Sequence, residues 1–100
     1  MGTEGAQALA ASESLKSLTV LALSGNSVGD SGAAALAESP HLTRLTLLDL
    51  GANGIGSKGA LAIAKSTTFE TLQSLELSGN DVGKAAEGKL KARFGDRLKL

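Results

Sequence analysis

Aliphatic residues recur along this chain in a fixed frame. Leu18, Leu21 and Leu23 lead into Asn26; Leu45, Leu48 and Leu50 lead into Asn53; Leu72, Leu75 and Leu77 lead into Asn80, so successive asparagines stand 27 residues apart. Within each segment the last two leucines alternate with other residues, which is the period-two signature of a strand with one buried face. Further along each unit the spacing changes. Ala33, Leu36 and Ala37, like Ala60, Ile63 and Ala64, fall at i, i+3 and i+4, the positions that share one face of a helix. The frame extends backwards, because Gly5, Ala6 and Leu9 align with Gly32, Ala33 and Leu36.

Neither half-unit can bury its apolar face alone. A helix laid antiparallel behind each strand, stacked on copies of itself, buries both. The chain is therefore expected to form one α/β repeat domain over residues 1–100. It would comprise a helical half-repeat (1–17), complete repeats at 18–44 and 45–71, and a modified terminal repeat with a C-terminal cap (72–100). Thr3, Asp30 and Ser57 occupy equivalent positions and are expected to cap the helices they begin, by accepting an orphan N–H of the first turn. Gly29, Gly56 and Gly83 are read as sites of special backbone conformation or close approach.

With these residues in hand, the pattern resembles the leucine-rich repeat family, in particular its ribonuclease-inhibitor-like type, whose phrase is Leu-x-x-Leu-x-Leu-x-x-Asn-x-Ile-Gly-Asp-x-Gly-Ala. Leu18 to Ala33 follows that phrase with Val28 in place of Ile, and the likeness extends over about residues 3–83. The resemblance implies an open curved solenoid with a parallel sheet on its concave face and helices on its convex face. It also implies an asparagine ladder through Asn26, Asn53 and Asn80. Protein binding on the concave face is implied as well, where Val20, Ala22, Ser24, Leu47, Asp49, Gly51, Ser74, Glu76 and Ser78 project between the leucines, joined by Lys99 from the cap.

The ends of the chain depart from the pattern in opposite ways. Lys89, Lys91 and Arg93 stand where earlier units are small or apolar, as suits an outermost helix. Phe94-Gly95 reads as a helix end. Arg97 to Leu100 is expected to add a last short strand that sets Lys99 beside Glu76. At the other end, Leu18 to Leu23 is uncharged and first in order, an edge open to pairing. Self-association through it, or a place at the C-terminal end of a longer array, is expected.

Composition narrows the possible chemistry. Ten basic and ten acidic side chains cancel, so the basic footprint of a nucleic-acid-binding protein is missing. The balance is uneven: residues 1–83 hold four basic and eight acidic groups, net −4, while residues 84–100 hold six and two, net +4. Without cysteine there is neither a disulfide nor a thiolate metal site. No secretory signal or apolar run of roughly 18 residues is present. The expectation is a cytoplasmic, non-enzymatic interaction module with no cofactor or metal, binding a protein and neither nucleic acid nor membrane.

Candidate catalytic groups are few. His41 is the only histidine and is expected in an exposed loop. The stretch Gly51 to Gly59 is glycine-rich but lacks the Gly-x4-Gly-Lys-Ser/Thr order of a phosphate loop. Asp49 and Glu76 share a strand position in adjacent repeats, formally the spacing of a glycosidase pair, yet a shallow face of Ser, Ala and Gly would not exclude water. The alternative function is regulation of a small GTPase, since GTPase-activating proteins of the Ran type resemble this repeat class. Arg44 is a lone arginine ahead of a strand and carries little weight as a transition-state group.

Overall fold

The structure, a computed structural model, describes residues 2–100. Helices and strands alternate: α1 (Gly2–Ala10), β1 (Val20–Ala22), α2 (Gly29–Ala37), β2 (Leu47–Asp49), α3 (Ser57–Lys65), β3 (Ser74–Glu76), α4 (Lys84–Phe94) and β4 (Leu98–Lys99). Short 3-10 turns precede β1 (Glu13–Leu15) and β4 (Gly95–Arg97). The four strands form one parallel sheet in chain order, with the helices stacked in the same order behind it.

Register follows the repeat. Leu21 pairs with Leu48, Leu48 with Leu75, and Leu75 with Leu98. The connection into β4 is shorter by four residues than the 27-residue frame would make it, because Leu98 stands where 102 would fall. Inward leucines of the sheet meet Leu36, Ile63 and Leu90 of the helices, all without solvent exposure. Leu42 and Phe69, again 27 apart, close the core beneath the loops that enter the strands.

Small residues set the helix spacing. At Gly32 a Cβ would lie 2.6 Å from Val28 Cγ1 and 3.1 Å from the Ala6 Cβ. At Gly59 it would lie 2.8 Å from Asp30 Oδ1. Each helix therefore presses a glycine against its predecessor, a contact any side chain would force apart.

The expected helix caps act differently. The Thr3 hydroxyl donates to the Val28 carbonyl at 2.8 Å, and the Ser57 hydroxyl donates to the Val82 carbonyl at 2.9 Å. A carboxylate has no proton to donate, so Asp30 accepts instead, from Gly56 N–H at 2.7 Å and Gly59 N–H at 2.9 Å. None of the three caps its own helix. All reach into the following repeat, and Asp30 satisfies the first turn of α3. Of the three glycines read as special, Gly29 and Gly83 have positive φ (70° and 81°), whereas Gly56 sits at −105° and serves through its N–H.

At the other end of the helices runs a second polar ladder. Ser39 donates to the Ala10 carbonyl at 2.6 Å, and Ser66 donates to the Ala37 carbonyl. Both hydroxyls also accept backbone N–H groups of the turn that follows. In the terminal repeat the equivalent residue is Arg93, whose guanidinium donates to the Ile63 carbonyl at 2.9 Å. Arg93 was grouped above with the residues of the outer helix face, but it is turned inward. Burial pushes its pKa down, and its guanidinium lies 4.8 Å from the centre of the Phe94 ring.

Candidate interaction surface

On the concave face three rows of side chains cross the strands. Val20, Leu47 and Ser74 form the first; Ala22, Asp49, Glu76 and Lys99 the second; Ser24, Gly51 and Ser78 the third, by the strand register and its continuation. Alternation along each strand places these residues opposite the buried leucines. The first row begins apolar, with Val20 52% exposed and Leu47 37%. Beside it lie the two carboxylates.

Like charges on neighbouring strands repel, and the chain answers locally. Asp49 Oδ1 accepts the Gly51 N–H at 3.0 Å, and Glu76 Oε1 accepts the Ser78 N–H at 3.1 Å. Hydrogen bonds from Ser78 hold the Glu76 carboxyl below the ordinary glutamate range, and the Lys99 charge on the next strand adds to that effect. Gly51, placed among the contact residues by position, is buried, and a Cβ there would meet Asp49 Oδ1 at 3.3 Å and the Ser78 carbonyl at 3.4 Å. It offers a partner no surface. The row therefore consists of Ala22, a carboxylate pair and a lysine, with one carboxylate oxygen of each acid left for other contacts.

The asparagines lie where strands turn towards helices. Asn53 Oδ1 accepts the N–H of Asn26 at 2.8 Å and of Val28 at 3.2 Å, while its amide donates to the Leu23 and Gly51 carbonyls. Asn80 repeats this towards Asn53, Ile55 and Leu50. Each asparagine thus serves the backbone of the preceding repeat, in a bend where the sheet ladder has ended.

The remaining candidates are not brought together. The glycine-rich stretch Gly51 to Gly59 has the N–H groups of Gly56 and Gly59 taken up by Asp30, so it does not cradle an anion. His41 is partly buried, rather than exposed, with its N–H held by Ser39. Arg44 is exposed ahead of β2. A surface depression of about 660 Å³ lies between α2 and α3, on the opposite side of the sheet from Asp49 and Glu76. Among the described residues no group of three or more His, Cys, Asp or Glu lies close enough to hold a metal, and no helix is long and apolar enough to cross a membrane.

Three successive stretches of the chain, residues 14–37, 38–64 and 70–85, match the family model described as Leucine Rich repeat. The chain belongs to the leucine-rich repeat family. With four parallel strands in one sheet and a helix behind each turn, it is an α/β leucine-rich repeat solenoid. No curated protein matches it. Leucine-rich repeats generally mediate protein–protein interaction and are typically non-catalytic.

Residues that this reading of the sequence passed over have a common signal. Ser12, Ser39 and Ser66 are spaced by 27, and a serine repeated in phase at a helix end is a hydrogen-bonding position. The period alone would have found it. That Arg93 continues the series was hidden by its chemistry, since an arginine does not look like a serine until its reach across α3 is seen.

Proposed function

We propose that this leucine-rich repeat protein binds an extended peptide segment of a partner protein along its concave face. The observation that carries this reading is the adjacency of exposed aliphatic and acidic groups. Val20 and Leu47 lie two residues along their strands from the row that holds Asp49 and Glu76, about 7 Å at the usual rise of a strand. A segment that sets an aliphatic side chain against Leu47 and a lysine or arginine against the carboxylates meets both. An arginine suits the pair best, because its fork can bridge two carboxylates. Burying the aliphatic patch supplies affinity, and the carboxylates fix orientation.

The 27-residue unit and the phrase from Leu18 to Ala33 support placement in the ribonuclease-inhibitor-like type. Absence of a basic surface, a metal cluster or a paired catalytic site supports a non-enzymatic role, read as cytoplasmic. No observation favours regulation of a GTPase over this reading.

The experiment is selection of random peptides by the immobilised protein, followed by binding of the selected sequences to variants. Selected peptides should share an aliphatic residue near a basic one, and should lose at least tenfold in affinity, about 1.4 kcal/mol, towards both Leu47→Glu and Asp49→Lys. Peptides that bind these variants as well as the native protein would place recognition elsewhere.

A further inference from the structure

The two ends of the solenoid are finished differently. In every repeat the helix offers one set of positions to the repeat before it and another to the repeat after it. Thr3, Asp30 and Ser57, with Ala6, Ala33 and Ala60, face forwards, as shown by the hydrogen bonds of Thr3, Asp30 and Ser57 into the following repeat. In α4 these positions hold Lys84 and Glu87, and Glu87 pairs with Lys91 at 3.0 Å. A further repeat stacked on α4 would have to strip water from all three charges. The C-terminal end is closed.

The backward-facing positions are Gly32 and Gly59, Leu36 and Ile63, Ser39 and Ser66, every one of them buried. On α1 the same positions are Gly5, Leu9 and Ser12, all partly exposed, and Ala8 between them is exposed. The strand beside them is open too. Thr19 and Leu23 direct their backbone groups at β2, where the Thr19 carbonyl accepts Leu47 N–H and Leu23 N–H donates to Asp49. The alternate residues Val20 and Ala22 therefore direct theirs to the free side of the sheet. Even the core registers this opening: Leu21 and Leu23 retain 8% and 5% exposure, against 0% for Leu48 and Leu50.

We propose that a second copy of this chain covers the open end, joined to the first by a two-fold axis through β1. The two first strands then run antiparallel, and the Ala22 residues exchange both backbone hydrogen bonds with each other. Gly5, Ala8, Leu9 and Ser12 of α1 meet the same residues of the other α1 behind the sheet. The surface suits itself. Its contact positions are small and uncharged, so no unpaired charge is buried, while Glu4 and Glu13 stay exposed at the rim. Head-to-tail stacking is disfavoured by Lys84, Glu87 and Lys91, so the assembly stops at two. Two concave faces become one eight-stranded sheet, with both Asp49–Glu76 pairs available. The open end shares only β1 with the concave face, so the dimer stands or falls without the peptide-binding role.

The test is sedimentation equilibrium of the whole chain from about 10 μM to about 1 mM, with amide exchange measured at the two extremes. The mass should rise from 10.0 kDa to twice that value, and exchange at Val20 and Ala22 should slow as concentration rises while the amides of β4 do not change. Ala8→Lys, at an exposed helix position, should raise the dissociation constant at least about tenfold, and Lys91→Ala should leave it unchanged. A monomer at every concentration would overturn the dimer, as would growth beyond two copies. Equal sensitivity to the α4 variant, or exchange at Val20 and Ala22 that ignores concentration, would overturn it as well, without relying on the fold of any variant.

Discussion

Arg93 reaches back across the C-terminus of α3 to donate to the Ile63 carbonyl, the task that serines perform in the two repeats before it. The last carbonyls of a helix have no partner within it and carry the negative end of its dipole. A hydroxyl satisfies them in the interior of the stack. At the end, a long cation does so while covering the face of Phe94, which Arg97 also overlies at 5.5 Å from the ring centre.

Arg93→Leu keeps the packing stem and removes the donor. It should destabilise the protein by about 1 kcal/mol, discounted because the guanidinium is only partly buried. Arg93→Ser restores the interior chemistry at this position and should recover part of the hydrogen bonding while losing the contact with Phe94. Urea midpoints of the two variants against the native chain measure both effects.

Asn53 is 1% exposed and joins four backbone groups. Asn53→Ala leaves several of them buried without partners and should cost about 3 kcal/mol, a large share of the stability of a chain this size. A thermal melt should show it as a fall of more than about 10 °C. An unchanged melting temperature would mean that water replaces the amide without loss.

Two glycine-to-alanine substitutions inside helices should have opposite signs. Gly59→Ala places a Cβ 2.8 Å from Asp30 Oδ1 and 2.9 Å from Ile55 Cγ2, forcing α3 off the carboxylate that caps it, and should cost about 2 kcal/mol. Gly88→Ala meets nothing within 4 Å and should stabilise by about 0.5–1 kcal/mol through the better helix propensity of alanine. Denaturant titration of both variants checks the sign of each.

The folded-state pKa of Glu76 is lowered. Its stabilising contribution is therefore fully present above the ordinary glutamate value and is lost as pH falls through the depressed one. Because the side chain is partly exposed, the effect should stay under about 1 kcal/mol. Comparing urea midpoints of the native chain and Glu76→Gln from about pH 6 down to about pH 3 should show the native advantage shrinking towards the acid end. A difference constant with pH would mean that Ser78 binds the two side chains equally.

Much of the architecture could be read from residue order, and the reason is mechanical. Once apolar positions recur every 27 residues, copies must stack in register to bury them, so Leu21, Leu48 and Leu75 are bound to share a rung and Asn26, Asn53 and Asn80 a turn. The same frame placed Asp49 beside Glu76 and Lys99 beside Glu76, because strand neighbours follow from register alone.

Three things depended on how the units dock. Thr3, Asp30 and Ser57 look like caps for their own helices, yet each spends its hydrogen bonds on the next repeat, because the distance between helices, set by Gly32 and Gly59, brings that backbone within reach. Gly51 appears to belong to the contact face until the Asp49 carboxylate folds over it. The order of residues sufficed for the period, the register and the rows of the sheet, since these depend only on which positions are equivalent. Which way a side chain turns, whether Arg93 faces inward and which end of the stack stands open were decided by tertiary structure, because those choices depend on the size and charge of what lies across the gap.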